Sequence, residues 1–319
     1  MKDSGMETMK AIVCEKYGSP EVLKIAQRKK PMPKKDEVLI NIIAASVTNS
    51  DIFIRSSHVD PRFIVPFRLM MGLTRPRNPI LGEVFSGVVE SAGSGIQRFG
   101  SGDQVYGLTG FSLGAYADYL CMKEIDSKRG CLALKPKNIS FEEATSAAYG
   151  GLLAFQYLEK GNISAGHKVL IYGASGTSGT IAVQYAKHLG AVVTGVCGPS
   201  NLEFVKSLGA DKVLDYTKNE TIRYLEKYDV VLDTVGKNKT SDVKRACMAS
   251  LKAHGHYISI DDGALLLESE RLNRITSLVE FGIIKPINDR VYPFDQIVAA
   301  HRYVETGHKK GNVAVTVNR

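Results

Sequence analysis

A glycine-rich segment in the middle of the chain has the residue types that bind a dinucleotide. The apolar run Val169–Tyr172 is followed by small residues and then, from Thr180, by a segment with helical periodicity. This order predicts a buried strand, a tight turn and a helix whose free N-terminal N–H groups bind a pyrophosphate. The predicted phosphate-binding residues are Gly173, Ala174, Ser175, Gly176, Thr177, Ser178 and Gly179.

The turn departs from the usual fingerprint at one position. Ala174 stands where the first glycine is expected, whereas Gly176 and Gly179 keep the other two. Alanine is small enough for a tight turn. A strand–helix turn without a ligand is the alternative interpretation of the same residues.

The end of the second predicted strand, Val192–Cys197, indicates which dinucleotide is bound. An acidic residue there binds the ribose hydroxyl of NAD, but Gly198–Asn201 contains no acid. We therefore expect NADPH, with its 2′-phosphate hydrogen-bonded by Ser200, Asn201 and Tyr216. Ser200 could also act as the N-cap of the next helix.

Three further residues complete the predicted cofactor set. Val235 follows the predicted strand Val230–Asp233, Ser259 lies in Tyr257–Ile260, and Asn312 lies near the end of the chain.

Strand and helix patterns divide the chain into two predicted domains. Short apolar runs bounded by Pro, Gly and Asp fill residues 10 to about 125 and predict a compact β-barrel-like domain. From 141, strands alternate with helices, which predicts a doubly wound parallel sheet. We expect the first domain to comprise 1–140 and 285–319, and the second 141–284. The predicted parallel strands are Lys168–Tyr172, Val192–Cys197, Lys212–Leu214, Val230–Asp233 and Tyr257–Ile260.

Composition narrows the class of protein. The 319 residues carry 41 basic and 33 acidic side chains, a net charge of +8, which suits an anionic cofactor. We do not expect nucleic-acid binding, because the basic runs Arg28–Lys30 and Lys34-Lys35 lack interleaved aromatics. No run is long and apolar enough for a membrane span. The polar N-terminus and five scattered cysteines lead us to expect a cytoplasmic protein.

With these motifs in place, the chain resembles the medium-chain dehydrogenase/reductase superfamily, in its zinc-independent quinone oxidoreductase-like branch. The resemblance implies an α/β protein with a GroES-like β-barrel domain plus a Rossmann doubly wound parallel sheet domain. It is carried by Met9–Ile12, Tyr17–Leu23, Ala44–Asp51, Arg55-Ser56, Pro79–Val89, Ala174–Gly179, Leu208–Asp211, Asp215-Tyr216 and Gly307–Val313.

The resemblance also explains which metal ligands are missing. Zinc-dependent relatives carry a Cys ligand where Thr48 stands and a His-Glu pair where Glu83-Val84 stand. Thr48 and Val84 are poor zinc ligands, and Glu83 alone cannot hold the ion. We therefore expect no metal.

Candidate catalytic residues follow from the same comparison. Quinone reductases often carry Asn at the position of Thr48 and Tyr at that of Phe53, and both differ here. The role of polarising the substrate then falls to Thr48, Asn49 or Tyr149. We expect Asp51 to orient the loop, and Tyr149 could equally be a packing residue.

The segment Phe63–Asn78 is apolar and includes Arg68, Arg75 and Arg77, with Arg62 just before it. Two interpretations are open: a lid over the active site, or a surface helix packed on the barrel. After Ser259 the chain passes quickly into a helix predicted at about 264–282. Relatives usually insert a strand there that pairs across a dimer, so a monomer or a homodimer is possible.

The function expected from these features is an NADPH-dependent, metal-free reductase that transfers a hydride to a quinone or an α,β-unsaturated carbonyl compound. The alternatives are an enoyl-thioester reductase and a cofactor-binding protein with little catalytic turnover. The altered residues at Thr48 and Phe53 keep the last alternative open.

Overall fold

The computed structural model describes residues 7–58 and 64–317, which form two compact units. The first unit contains the chain up to Ala148, then Leu267–Asn273, and the chain from Asn288 onward. The second contains Tyr149–Leu266 and Arg274–Ile287. Of the segment discussed above, Arg62 and Phe63 lie outside the described residues.

The elements follow one another in the order that the sequence patterns predict, with strands first and alternating strands and helices later. They are β1 (Thr8–Cys14), β2 (Leu23–Lys29), β3 (Glu37–Ser46), α1 (Asn49–Ser56), α2 (Ile64–Met71), β4 (Val84–Ala92), β5 (Gln104–Leu108), β6 (Tyr119–Lys123), β7 (Cys131–Leu134), α3 (Phe141–Lys160), β8 (Lys168–Tyr172), α4 (Thr177–His188), β9 (Val192–Cys197), α5 (Leu202–Ser207), β10 (Lys212–Asp215), β11 (Tyr228–Asp233), α6 (Asp242–Ala249), β12 (Leu251–Ser259), α7 (Ser269–Glu280), β13 (Asn288–Pro293), α8 (Ile297–Glu305) and β14 (Asn312–Thr316).

The first unit is built around β3, the longest strand of its main sheet. β3 pairs antiparallel with β4, β6 and β14. Its side chains Val38, Ile40 and Ile42 are fully buried in the core, as alternate positions of a half-buried strand should be. Because β13 and β14 belong to the same sheet as β3, the C-terminal segment is part of the first unit.

Helix α2 lies on the core of the first unit. Phe67 and Met71 are buried in that core, and the Phe67 ring meets the ring of Phe53 on α1 at a centroid distance of 5.1 Å. The sequence leaves two interpretations of this segment open, a lid or a surface helix. The described residues from Ile64 form a helix packed on the first unit.

The second unit is a five-stranded parallel sheet in the order β10-β9-β8-β11-β12. The Rossmann prediction is confirmed. Strands β8 and β9 have the predicted bounds, whereas β12 begins at Leu251 rather than Tyr257. The chain leaves β8 toward β9 and β10, and then returns to add β11 on the other side. The boundary between β8 and β11 is therefore the topological switch point, where such sheets bind ligands.

Candidate active site

Gly173 lies at the switch point, against the segment that follows β11. It follows β8 directly, and its φ of +86° belongs to the left-handed region that favours glycine. A Cβ there would lie 2.5 Å from Thr234 Oγ1 and 2.7 Å from Val235 Cγ2. The Thr234 hydroxyl donates to the carbonyls of Tyr172 and Gly173. Only glycine allows the segment after β11 to come this close.

Gly179 is the second tight point of the turn. A Cβ on it would lie 2.2 Å from the Gly173 carbonyl oxygen and 2.9 Å from the Ala174 Cα, both backbone atoms. Ala174 itself is buried, and its Cβ lies over Gly195 of β9, where an added Cβ would be only 3.2 Å away. Ala174 can therefore replace the first glycine of the fingerprint, because Gly195 on the neighbouring strand leaves room for its methyl group.

The N-terminus of α4 has the properties of an anion site. Gly176 is its N-cap in extended conformation, and no side chain caps the helix. The first turn, Thr177 to Gly179, contains no acidic residue. The positive end of the helix dipole therefore meets no carboxylate within its own first turn.

The other predicted cofactor residues of the second unit share one edge of its sheet. Because β8 to β12 are parallel, their carboxyl ends meet at that edge. The residues concerned follow or end these strands: Ser200 and Asn201 after β9, Tyr216 after β10, Val235 after β11 and Ser259 at the end of β12.

Asn201 contacts the glycine turn directly. Its Nδ2 donates to Ser175 Oγ at 3.2 Å, and its buried Oδ1 has no partner among the described residues. Ser200 is exposed beside it. Ser200 does not cap α5, because the N-cap is Asn201, which makes no capping hydrogen bond with its side chain.

The three remaining residues at this edge differ in exposure. Tyr216 is 39% exposed, and its ring lies against Gly198. Val235 is partly buried over Gly173. Ser259 is fully buried, and its hydroxyl accepts from the N–H of Asp261.

A buried ion pair shapes the loop after β11, and sequence reasoning missed it. Asp233 Oδ2 lies 2.8 Å from Lys244 Nζ and accepts from the Tyr257 hydroxyl at 2.8 Å. Asp233 Oδ1 accepts from the N–H groups of Val235 and Gly236. Both charged side chains are almost fully buried. Since an isolated buried charge is costly, each partner holds the other in place.

In the first unit, Thr48 and Asp51 form the cap of α1. The Thr48 hydroxyl accepts from the Asp51 N–H, and Asp51 Oδ2 accepts from both the N–H and the hydroxyl of Thr48. Both residues are buried. Asn49, the first residue of the helix, is exposed. The Thr48 hydroxyl is therefore committed to the cap, whereas the Asn49 side chain faces solvent.

A second carboxyl group, Glu83, interacts with Asp51. Burial raises the pKa of Asp51 to about 6, against the hydrogen bonds from Thr48. Burial and the charge of Asp51 raise the pKa of Glu83 to about 8, and the Ser50 hydroxyl lowers it less strongly. Glu83 Oε2 is buried with no hydrogen-bond partner among the described residues. Burial and the nearby Asp51 charge therefore favour the protonated form of Glu83 to a higher pH than for an ordinary carboxyl group. No sequence pattern links two residues so far apart in the chain.

Asn312 is buried in the first unit rather than placed at the edge of the parallel sheet. Its Nδ2 donates to Ser46 Oγ, Thr145 Oγ1 and Asn288 Oδ1 at 2.8–3.1 Å. Its Oδ1 has no partner among the described residues. The side chain joins β14 to β3, α3 and β13.

Tyr149 lies in α3 and is half-buried. The next residue, Gly150, marks a close crossing, because a Cβ there would be 2.6 Å from the Thr177 carbonyl at the start of α4. Tyr149 therefore stands one residue from the contact between α3 and the start of α4, at the glycine turn.

The residues present do not fit a catalytic zinc ion. In residues 7–58 and 64–317, no three His, Cys, Asp or Glu side chains come together as a metal site. Thr48 is engaged in the helix cap, and Val84 is apolar and buried.

Family models match most of the chain. Residues 34–131 match a model described as alcohol dehydrogenase GroES-like domain. Residues 179–260 and 263–315 match models described as zinc-binding dehydrogenase.

Named relatives extend over nearly the whole chain. It is 32% identical to 2-methylene-furan-3-one reductase of Solanum lycopersicum, over 96% of this chain and 79% of that protein. It is 30% identical to the chloroplastic NADPH-dependent alkenal/one oxidoreductase of Arabidopsis thaliana, with the same coverage. The solved quinone oxidoreductase of Coxiella burnetii superimposes with a TM-score of 0.81 at 27% identity, covering 98% of this chain and 100% of that one.

Replacement of Gly179 by alanine tests the geometry of the turn. The new Cβ would meet backbone at 2.2 Å, so we expect the free energy of unfolding in urea to fall by about 3 kcal/mol. Gly176→Ala is the matched control, because its Cβ would meet nothing closer than 3.4 Å. That variant should change stability by less than about 1 kcal/mol. Equal losses in both variants would contradict this description.

The Asp51–Glu83 pair predicts how stability depends on pH. Between the ordinary pKa of 4.5 and the folded value of about 8, the folded chain keeps a proton that the unfolded chain releases. Stability therefore falls as pH rises through this window, by up to about 1.4 kcal/mol per pH unit. Glu83→Gln removes this loss, so urea unfolding at several pH values should show the variant gaining on the unmodified protein.

The exposed Glu220→Gln is the control for that series and should follow the unmodified protein. Parallel pH profiles for Glu83→Gln and the unmodified protein would show that Glu83 is ionised in the folded state.

Proposed function

Because the chain belongs to the medium-chain dehydrogenase/reductase superfamily, we propose that it is an NADPH-dependent reductase that transfers a hydride, without a metal, to quinones or α,β-unsaturated carbonyl compounds. One observation carries the proposal: a glycine turn lies at a topological switch point beside a strand end, Gly198–Asn201, that has no carboxylate. The names of the relatives support it, since they include a reductase of 2-methylene-furan-3-one and an alkenal/one oxidoreductase.

The residues of the second unit fit a phosphorylated dinucleotide. The turn from Gly173 to Gly179 would bind the pyrophosphate. The unpartnered Asn201 oxygen shows that this side chain lacks one contact that a ribose hydroxyl could supply. Ser200 and Tyr216 are exposed beside it and can donate to a 2′-phosphate. We propose that Val235 and Ser259 line the same site and that Asn312 contributes through its unpartnered oxygen. NADPH supplies the hydride from C4 of its nicotinamide.

We propose that Asn49, rather than Thr48, polarises the substrate carbonyl from the first unit. The Thr48 hydroxyl already donates to Asp51, whereas the Asn49 side chain is exposed at the start of α1. Tyr149 remains the candidate from the second unit, where its hydroxyl could supply the proton. Asp51 is a positioning residue, because it holds the first turn of α1.

The cellular setting is part of the proposal. We propose a cytoplasmic monomer or homodimer that keeps its thiols reduced. The five cysteines are free, and four are buried. Within the described residues, no helix is long and apolar enough to cross a membrane.

A panel of acceptors tests the proposed reaction. NADPH oxidation should be followed by the fall in nicotinamide absorbance at about 340 nm, with quinones, enones and enoyl thioesters as acceptors. We expect turnover with quinones or enones, and a slower rate for Asn49→Ala than for a matched Asn219→Ala variant at an exposed site. Binding of NADPH without turnover on any acceptor would contradict the reductase proposal, and turnover with thioesters alone would replace it.

Exchange of Asn201 for aspartate tests the choice of cofactor. The substitution keeps the shape of the side chain but places a negative charge where we assign the 2′-phosphate. We expect the dissociation constant for NADPH to rise about tenfold or more, with little change for NADH, because an acid at this strand end favours NAD. Calorimetric titration gives both constants.

Asn219→Asp makes the same change in charge at an exposed residue of the same unit and should leave both constants unchanged. If Asn201→Asp weakens both cofactors equally, the 2′-phosphate does not bind there.

A further inference from the structure

The first unit exposes an apolar strip that its fold does not use. Val65, Leu69 and Met70 of α2 and Leu73 just after it are 55–67% exposed. Val65 and Leu69 are four residues apart and therefore lie on the same side of the helix. We call these four residues the α2 face. Together they make a contiguous stretch of large apolar side chains open to solvent.

The opposite side of α2 packs against the core of the first unit. Phe67 and Met71 are buried in the core of the unit, and the Phe67 ring contacts the rings of Phe53 and Tyr17. The Tyr17 hydroxyl donates to the carbonyl of Gly72. The exposed side chains therefore belong to a well-packed helix whose other side supplies the core.

Arginines, and no acidic residues, accompany the α2 face. Between Ile64 and Gly82 the sequence contains Arg68, Arg75 and Arg77 but neither Asp nor Glu. Arg68 donates to Ser57 Oγ and to the Leu73 carbonyl, and Arg77 donates to the Leu69 carbonyl. These bonds fix the turn after α2 against the helix. Arg75 and Arg77 are exposed.

We propose that the α2 face binds the surface of a membrane that contains anionic lipids. Its apolar side chains would enter the boundary between headgroups and acyl chains, while Arg75 and Arg77 bind lipid phosphates. The charge of the segment has one sign only, and the whole chain carries +8, which favours a polyanionic surface over a mixed-charge protein partner. No described helix could span a membrane, so the contact is peripheral.

Vesicle flotation with the full chain tests this proposal without any need for turnover. Vesicles of phosphatidylcholine alone are compared with vesicles in which about one third of the lipid is phosphatidylglycerol, at low and high salt. We expect binding to the anionic vesicles only, weakened by salt because the Debye length shortens. Arg75→Gln should reduce the partition coefficient about fivefold, the equivalent of about 1 kcal/mol for one arginine near an anionic surface.

The apolar contribution is tested with paired variants. Leu69→Gln with Leu73→Gln should abolish flotation. Ile125→Gln with Phe281→Gln removes two apolar side chains elsewhere that are even more exposed (75% and 78%, against 59% and 67% for Leu69 and Leu73) and should leave it unchanged. All four positions are exposed, so thermal unfolding should be the same for both variants, and Arg223→Gln is the control for charge.

Absence of flotation, or equal loss in both paired variants, would overturn the proposal. Self-association of the unmodified protein in sedimentation experiments, lost only in the Leu69/Leu73 variant, would instead make the α2 face an interface between copies and would also overturn it.

Discussion

The crossing of backbone segments at Gly173 is the constraint on which the second unit depends. β8 ends there, the segment after β11 lies against it through Thr234, and the start of α4 packs on its carbonyl at Gly179. Three elements meet at a point where no side chain fits. The same crowding leaves the N-terminal N–H groups of α4 facing the edge where all five parallel strands end. The close packing and the proposed anion site at the start of α4 thus have one physical origin.

In the first unit, the constraint that fixes the candidate residues is the cap of α1, which Thr48 and Asp51 form. Asp51 uses one carboxylate oxygen to hold the first turn of the helix, and its charge acts on Glu83 nearby. Burial raises the pKa of both carboxyl groups, to about 6 for Asp51, where hydrogen bonds from Thr48 oppose the rise, and to about 8 for Glu83. Glu83 is buried near Asp51 with one oxygen that has no hydrogen-bond partner among the described residues.

The parts of the fold that the sequence predicts are those in which one local pattern determines the structure. β8 and β9 are mostly apolar runs in the interior of a sheet, and the sequence predicts their bounds to the residue. β12 is an edge strand whose first half is largely exposed, so Lys252 to His256 show no apolar pattern and its start was missed. The Asp51–Glu83 and Asp233–Lys244 pairs depend on tertiary contacts that no spacing reveals. The N-cap prediction for Ser200 was wrong because a short 3-10 turn precedes α5 and moves the cap to Asn201.

The most direct test of the central claim is a titration of the unmodified protein with NADPH and NADH, followed by nicotinamide fluorescence. The chain contains no tryptophan, so the signal reports the bound cofactor with little background from the protein. The account predicts saturable binding of both cofactors and a dissociation constant for NADPH at least about tenfold lower, since a strand end without an acid accepts the 2′-phosphate. Tighter binding of NADH, or no binding of either cofactor, would contradict it.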